Sequence, residues 1–427
     1  MDIQSREKEA GIDIGYEFYQ IIKDFDNPVQ IFREAFQNSY DEGSTEVVCK
    51  VFIEKKLGSE DLFIDIRDNG NGLLKENIDC FFGLAKSTKI NKDKQPVAGK
   101  IGYKGHGTKI FFNSESVEII SKTKNENSWY VKLDEPIKQL RETGKLKYTD
   151  FSKTDNAPFQ LPDKYGTGFF VRIKNPYYFK TQHTRFLLNH LYLRDYTKWY
   201  TVFGNIKNIF TGKQSNVNLL LQGLNFENFK ELYNNEHQID PVSNIVKFYN
   251  NEYESIKMGH HFPEERFTDR DMKNYSSKIK QNKPYYDYYS RAIYKDRVYC
   301  DNNLYFDFVF YAEGYETKRR YDPLLSRRGK STLSTNMIHT DAERYGLWAC
   351  KGGVPIQKID DWIEGGRGIG TYTYMHAFID CDNFDLVANR GSMMNTDIEI
   401  QEIIKDKLND ILKNKKIQDL ILERQEF

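Results

Sequence analysis

The strongest constraint on this chain lies between Glu34 and Lys109, where apolar runs alternate with glycine-punctuated turns in a fixed order. The stretch opens with Arg33-Glu34-Ala35-Phe36-Gln37-Asn38-Ser39-Tyr40-Asp41. Glu34 and Asn38 are i, i+4 neighbours and Asp41 stands i+3 beyond Asn38, so the spacing predicts a helix projecting an acid, an amide and a second acid from one face. Such a face can hold a metal ion and activate a water. Leu62-Phe63-Ile64-Asp65-Ile66 reads as a strand, and Asp68-Asn69-Gly70-Asn71-Gly72 as a loop that needs glycine backbone angles, leaving Asp68 as an acceptor at a strand end. The run from Gly99 to Lys109 then carries Gly102, Gly105 and Gly107 into apolar Ile110-Phe111-Phe112. Glycines so placed leave bare backbone N–H groups that approach phosphates closely.

Each motif alone is commonplace: a charged helical face is usually solvated, and a glycine-rich loop matches many turns. Their order and spacing together resemble the GHKL, or Bergerat-fold, ATPases: gyrase-type topoisomerases, the ninety-kilodalton heat-shock chaperone, MutL, the MORC proteins and the ATP domain of histidine kinases. The nearest resemblance is to the heat-shock-chaperone and MORC-like branch. The family boxes E-x-x-x-N-x-x-D, D-x-G-x-G and G-x-x-G-x-G fall on Glu34/Asn38/Asp41, Asp68/Gly70/Gly72 and Gly102/Gly105/Gly107. Gly166-Thr167 precedes the alternating run Phe169 to Ile173, where the family places a Gly-Thr that assists the adenine-binding aspartate.

The resemblance implies ATP and Mg²⁺ as ligands and hydrolysis as the activity. Glu34 becomes the general base and Asn38 the Mg²⁺ ligand. Asp68 accepts from the adenine amine, with Gly70, Gly72 and Thr167 around it, so guanine is rejected. Asp41 supports the base pocket. Gly102, Gly105, Gly107 and Thr108 approach the phosphates, and Lys109 or Lys104 supplies a point charge there. Residues 85 to 98, polar and lysine-rich between Gly83 and Gly99, read as a mobile cover in which Lys86 sits at the family's Lys-Ser step.

Length sets the domain count. At 427 residues the chain exceeds one ordinary core. The expected architecture is α/β: a two-layer Bergerat-fold sandwich over residues 1–204, with helices on a mixed, mostly antiparallel sheet, then a transducer-like α/β domain at 205–395 carrying an aromatic and basic insertion. An amphipathic helix closes the chain at 396–427. In the first domain, Ile31, Phe32, Ala35 and Phe36 give the helix its apolar stripe, and 46–54 and 62–66 form a hairpin. Strands are expected at 117–121, 129–133 and 169–173.

In the second half, the stretch from Asp382 to Ser392 resembles the end of the chaperone's transducer domain, where an arginine reaches the terminal phosphate. Arg390 falls one residue out of that register, and Lys351, in Ala349-Cys350-Lys351-Gly352-Gly353, is the other candidate, as in the gyrase and MutL branch. Family analogy further implies a homodimer closed by ATP through the N-terminal domains. The client is either DNA, in a MORC- or MutL-like role such as microbial antiviral defence within a multi-gene system, or a protein, in a chaperone-like role. Tyr285-Tyr286-Asp287-Tyr288-Tyr289 and the basic runs Lys318-Arg319-Arg320 and Arg327-Arg328 are of a composition that binds nucleic acid. Against this, 62 Lys plus Arg balance 62 Asp plus Glu, so no global charge commits the chain to a polyanion. Five cysteines without C-x-x-C spacing fit neither a disulfide framework nor a zinc site, and suit a reducing cytoplasm. No stretch approaches the apolar length of a membrane span.

Overall fold

The computed structural model describes residues 13–25, 27–83, 107–151, 154–213, 215–234, 247–260, 291–300, 304–312, 325–326, 339–340, 346–364, 375–387, 391–415 and 417. The elements run α1 (Ile14–Lys23), α2 (Gln30–Asp41), β1 (Glu46–Lys56), β2 (Ser59–Asp68), α3 (Ile78–Phe82), β3 (Ser116–Lys122), β4 (Trp129–Asp134), α4 (Pro136–Thr143), β5 (Thr149–Phe151) and β6 (Gly168–Lys174). Then come α5 (Gln182–Phe186), α6 (His190–Tyr200), α7 (Lys207–Thr211), β7 (Asn218–Gln222), α8 (Phe226–Asn234), β8 (Lys247–Tyr249) and β9 (Tyr253–Lys257). The remainder is β10 (Arg291–Tyr299), β11 (Tyr305–Ala312), the short pair β12 (Leu325–Ser326) and β13 (His339–Thr340), β14 (Gly346–Lys351), β15 (Val354–Lys358), β16 (Met375–Asp380) and α9 (Ile398–Leu412).

Among the described residues the first sheet has nine strands in the order β5-β4-β3-β6-β2-β1-β7-β9-β8. Every neighbouring pair is antiparallel except β1 and β7, which run parallel with Glu46 opposite Asn218. The expected strands and the hairpin are present, and the molecule is a mixed α/β protein with helices on a mostly antiparallel sheet. Period-two alternation sends Val47, Cys49 and Val51 of β1, Leu62, Ile64 and Ile66 of β2, and Val171 and Ile173 of β6 to one face, where they meet Ile31, Phe32, Ala35 and Phe36 of α2. The opposite face carries Arg172, whose guanidinium grips Asp65 through two bonds of 2.8 and 2.6 Å and lies 4.6 Å from the Phe159 ring centroid.

This sheet does not end at residue 204, where the first domain was expected to close: β7, β9 and β8 extend it beyond β1. A buried polar triad fastens the extension. Arg194 Nε on α6 donates to Glu254 Oε1 on β9 at 2.6 Å, and His190 Nε2 lies 3.1 Å from Glu254 Oε2. Burial alone would raise the Glu254 carboxyl, but the Arg194 charge and the His190 hydrogen bond overcome it and hold it at about 2. His190 moves the other way from an ion-pair partner: burial lowers it despite Glu254. The geometry agrees with a neutral ring, because Nδ1 accepts from the Gly223 N–H at 3.0 Å, leaving Nε2 to carry the proton and donate to Glu254. Glu254→Gln removes the carboxylate charge that Arg194 meets in the interior and is expected to cost about 3–5 kcal/mol, lowering Tm by roughly 10 °C. Because the Glu254 carboxyl is depressed, its contribution is present above the unfolded value of about 4.5 and is lost as pH falls toward about 2. Thermal melts of both proteins from pH 7 to 3 check this: the gap between them should narrow with acidification.

The second sheet, in the order β10-β11-β16-β14-β15, is antiparallel apart from β14 and β16. On one face α9 buries Ile404, Leu408 and Leu412 against Phe306, Phe308, Leu347 and Ile379, so the terminal helix docks on the second sheet. On the other face Val309, Tyr311, Trp348 and Phe378 meet Trp199 and Ile206 from the first unit. The β14–β15 turn adds backbone contacts: Asn205 Nδ2 donates to Gly352 O at 2.9 Å, and Ile206 N to Gly353 O at 2.8 Å. No helix among the described residues is long and apolar enough to cross a membrane.

Candidate functional site

A cavity of about 610 Å³ opens between α2 and the ends of β2, β3 and β6, a size ordinary for a small-molecule site. Its α2 wall is Ala35, Asn38, Ser39 and Glu42; its sheet wall includes Ile66, Asp68, Thr167, Phe169 and Val171. Asn71, Gly72, Leu73, Leu74, Asn77, Cys80 and Phe81 close a second side, and Gly107, Thr108, Phe111, Thr123, Lys124 and Asn125 complete the lining.

Asp68 ends β2 and is buried. Its Oδ2 accepts from Ser39 Oγ at 2.7 Å and its Oδ1 from the Gly70 N–H at 2.8 Å. A carboxylate can accept about four hydrogen bonds, so capacity remains for a ligand. Burial raises its pKa, and the bonds from Ser39 and Gly70 oppose that only in part. The glycines that follow are required by space. A Cβ on Gly70 would lie 2.6 Å from Ser44 Oγ, and one on Gly72, at φ +71°, would lie 2.3 Å from the Lys122 carbonyl oxygen.

Glu34 is 1 % exposed and stands one layer behind the cavity wall. A Cβ on Gly107 would lie 1.9 Å from Glu34 Oε2, so any larger residue there would displace that carboxylate. Asn38, one turn on, does line the cavity. Asp41 does not: it accepts from Gln37 Nε2 at 3.2 Å, away from the lining, and Glu42 takes the place on the wall. The lining positions 35, 38, 39 and 42 repeat at helical i, i+3, i+4, i+7 spacing, which puts Asp41 on the flank of that stripe.

Lys109 departs furthest from expectation. Its side chain is fully buried and absent from the lining, with Nζ donating to the Phe81 carbonyl at 2.6 Å and to Thr108 Oγ1 at 2.9 Å. Burial against neutral partners lowers its pKa to about 7. It ties the short 3-10 helix Gly107–Phe112 to α3 and is not a point charge facing the cavity. Thr108 lines the cavity while bonding the same Phe81 carbonyl at 3.1 Å. Thr167 and Phe169 both line the cavity. Lys351 lies outside the lining, its ammonium donating to the Phe384 carbonyl. Lys86, Gly102, Lys104, Gly105 and Arg390 lie outside the described residues, as do the cover at 85–98, the tyrosine cluster at 285–289 and the basic runs at 318–320 and 327–328. Ser39, Glu42, Asn77 and Thr123 were not expected in the site. For Ser39 and Glu42 the helical spacing from Ala35 could have given the signal.

The donor set fits a nucleoside triphosphate. A buried acceptor at a strand end suits an exocyclic amine, apolar Ile66, Leu73, Phe169 and Val171 suit a flat ring, and Gly107 leaves backbone close to the opposite end. Among the described residues no group of three or more His, Cys, Asp or Glu could hold a metal ion. A Mg²⁺ here would take one amide oxygen from Asn38 and the rest of its shell from phosphate and water.

A helix-on-sheet sandwich with such a cleft at its strand ends is an architecture able to hold a nucleotide. Residues 30–167 match the family described as histidine kinase-, DNA gyrase B-, and HSP90-like ATPase. The match supports a GHKL-type ATPase domain over these residues, and it spans the lining from Ala35 to Thr167. No curated protein matches the chain.

Proposed function

We propose that this protein is a Mg²⁺-dependent ATP hydrolase in which Asp68 selects adenine, Asn38 carries the metal ion and Glu34 acts on the attacking water. The observation that carries the reading is the buried Asp68 carboxylate, held by Ser39 and Gly70 with acceptor capacity left over, in a cavity that also takes in Asn38, Gly107 and Thr167. Mg²⁺ would draw negative charge from the phosphate oxygens as the terminal phosphoryl group leaves. Glu34 reaches the cavity once the segment carrying Gly107 shifts, since that glycine rests on its carboxylate. Residues 85–98 are proposed as the cover, with Lys86 in it and Gly102, Lys104 and Gly105 beyond it as phosphate contacts. Asp41 is proposed to brace α2 through Gln37.

The ATPase unit is proposed to run through Lys257, with residues 291–417 as a transducer unit joined to it at the turn of Gly352 and Gly353. Arg390 or Lys351 would sense the terminal phosphate from this second unit. At the larger scale the proposal is a cytoplasmic, ATP-closed homodimeric clamp. Its client is taken to be DNA, on the strength of basic residues interleaved with aromatics between 285 and 330. The enzyme is expected to hydrolyse ATP with Mg²⁺ and to bind ATP at least about 100-fold more tightly than GTP, because Asp68 would meet a carbonyl in place of an amine. Calorimetric titration with both nucleotides checks this, and equal affinities would remove Asp68 from the base-selecting role. DNA-stimulated turnover that falls steeply with salt supports the DNA client. Stimulation by unfolded protein instead would point to a chaperone-like role.

A further inference from the structure

We infer that the joint between the two sheets is a proton-sensitive latch: the Asp380 carboxyl, sealed between the second sheet and the first unit, lets the joint stay shut when protonated and loosens it when ionised. The inference stands on the packing of the two units and does not need the ATP reading above. Period-two alternation along β16 turns Asp380 to the side of Phe378, which meets Trp199 and Ile206 of the first unit. In the parallel pairing of β14 with β16, Asp380 stands beside Cys350, just before the turn of Lys351, Gly352 and Gly353. The Gly353 N–H donates to the Asp380 carboxylate, while the Gly353 carbonyl accepts from the Ile206 N–H at 2.8 Å. A Cβ on Gly353 would lie 2.2 Å from Asn205 Oδ1 and 2.9 Å from Lys207 Cγ. The carboxylate is therefore bonded to the very turn by which the second sheet grips the first unit. Asp380 is 9 % exposed, and its Oδ1 is buried with no hydrogen-bond partner among the described residues. A carboxylate charge left there is costly, and opening the joint would hydrate it.

The charged groups around Asp380 leave that cost largely in place. Burial raises its pKa to about 6; the Gly353 N–H and the charge of Lys207 on α7 oppose the rise, and Asp382 and Asp307 add to it. Arg297 is already spent on Asp307, through bonds of 2.7 and 3.0 Å. Lys351 donates to the Phe384 carbonyl and Lys295 to the Ile209 carbonyl. Burial pushes the Cys350 thiol up, so it stays neutral. The rings of His376 and His260 pack on Trp199 and Phe378. In an opened joint the hydrated carboxyl titrates at its ordinary value of 3.8. The shut joint thus holds the proton more tightly: closure is unopposed below the ordinary value, weakens as pH rises from there to about 6, and changes little beyond.

The test is hydrogen exchange, corrected for the chemical rate, from about pH 4.5 to 8 in wild type, Asp380→Asn and Lys207→Gln. In wild type, peptides holding Ile206 and Gly353 should lose about 10-fold or more in protection across that range, while peptides of the β1–β2 hairpin keep theirs. Asp380→Asn, uncharged throughout, should hold the joint protected at every pH. Lys207→Gln removes the cation that favours the ionised form in the shut joint, so its midpoint should move upward. Protection of the joint that does not change with pH in wild type would overturn the inference, and so would an asparagine variant that keeps the wild-type pH dependence. Should that variant not fold, Lys207→Gln decides: a midpoint that stays put or falls overturns the inference. None of these results bears on ATP binding, which the titrations above measure separately.

Discussion

Replacing Glu34 by glutamine or alanine is expected to lower ATP turnover by at least about 100-fold, the usual worth of a positioned general base, while ATP affinity stays within about threefold. The division between the two effects follows from where the side chain lies. Glu34 is behind the wall formed by Gly107 and contributes nothing to the lining that grips the base. In the proposed role its loss should therefore spare ground-state binding and remove an interaction made only as water attacks. Glutamine is the sharper variant, since it keeps the volume on which Gly107 rests and removes only the basic oxygen. Single-turnover hydrolysis alongside equilibrium binding separates the two quantities. Turnover equal to wild type in Glu34→Gln would exclude the role, whatever the alanine variant does.

Asp68→Asn should have the opposite signature in binding and a second effect on stability. ATP affinity is expected to fall by about 30- to 1000-fold, because the amide keeps only one acceptor oxygen and either points a donor at the adenine amine or gives up one of the bonds donated by Ser39 Oγ and the Gly70 N–H. The folded protein should melt at the same temperature or higher. Burial raises the Asp68 pKa above its ordinary value, so its ionisation opposes folding: the cost grows as pH rises from the ordinary carboxylate value to the raised one. Asparagine never carries that charge. A functional carboxylate kept at the expense of stability is what a binding site, and not a structural hydrogen bond, requires. Melting curves at pH 5 and 8 with and without ATP measure both effects, and an asparagine variant that binds ATP normally would rule out Asp68 as the base anchor.

What the chain disclosed in advance was local. The hairpin of β1 and β2 follows from alternation over Glu46–Lys56 and Ser59–Asp68, and the turn after Asp68 from glycines that no other residue can replace. The β1–β7 pairing was not legible, because it joins residues 46–50 to 218–222 in parallel and leaves no turn to announce it. Asp41 was misplaced by a phase difference along α2 too small for spacing to resolve, so Glu42 went unnoticed beside it. Lys109 looks like any lysine in a chain rich in them, and only packing shows that its ammonium is folded inward onto Phe81.

The graft of β7 onto β1 also governs how this molecule can be cut. A fragment ending near residue 204 would strip β1 of its outer neighbour and expose a long row of unpaired amides and carbonyls, the kind of raw margin that recruits other chains into aggregates. A fragment carried past Lys257 keeps that margin covered and retains the Arg194, His190 and Glu254 clasp that holds the cover down.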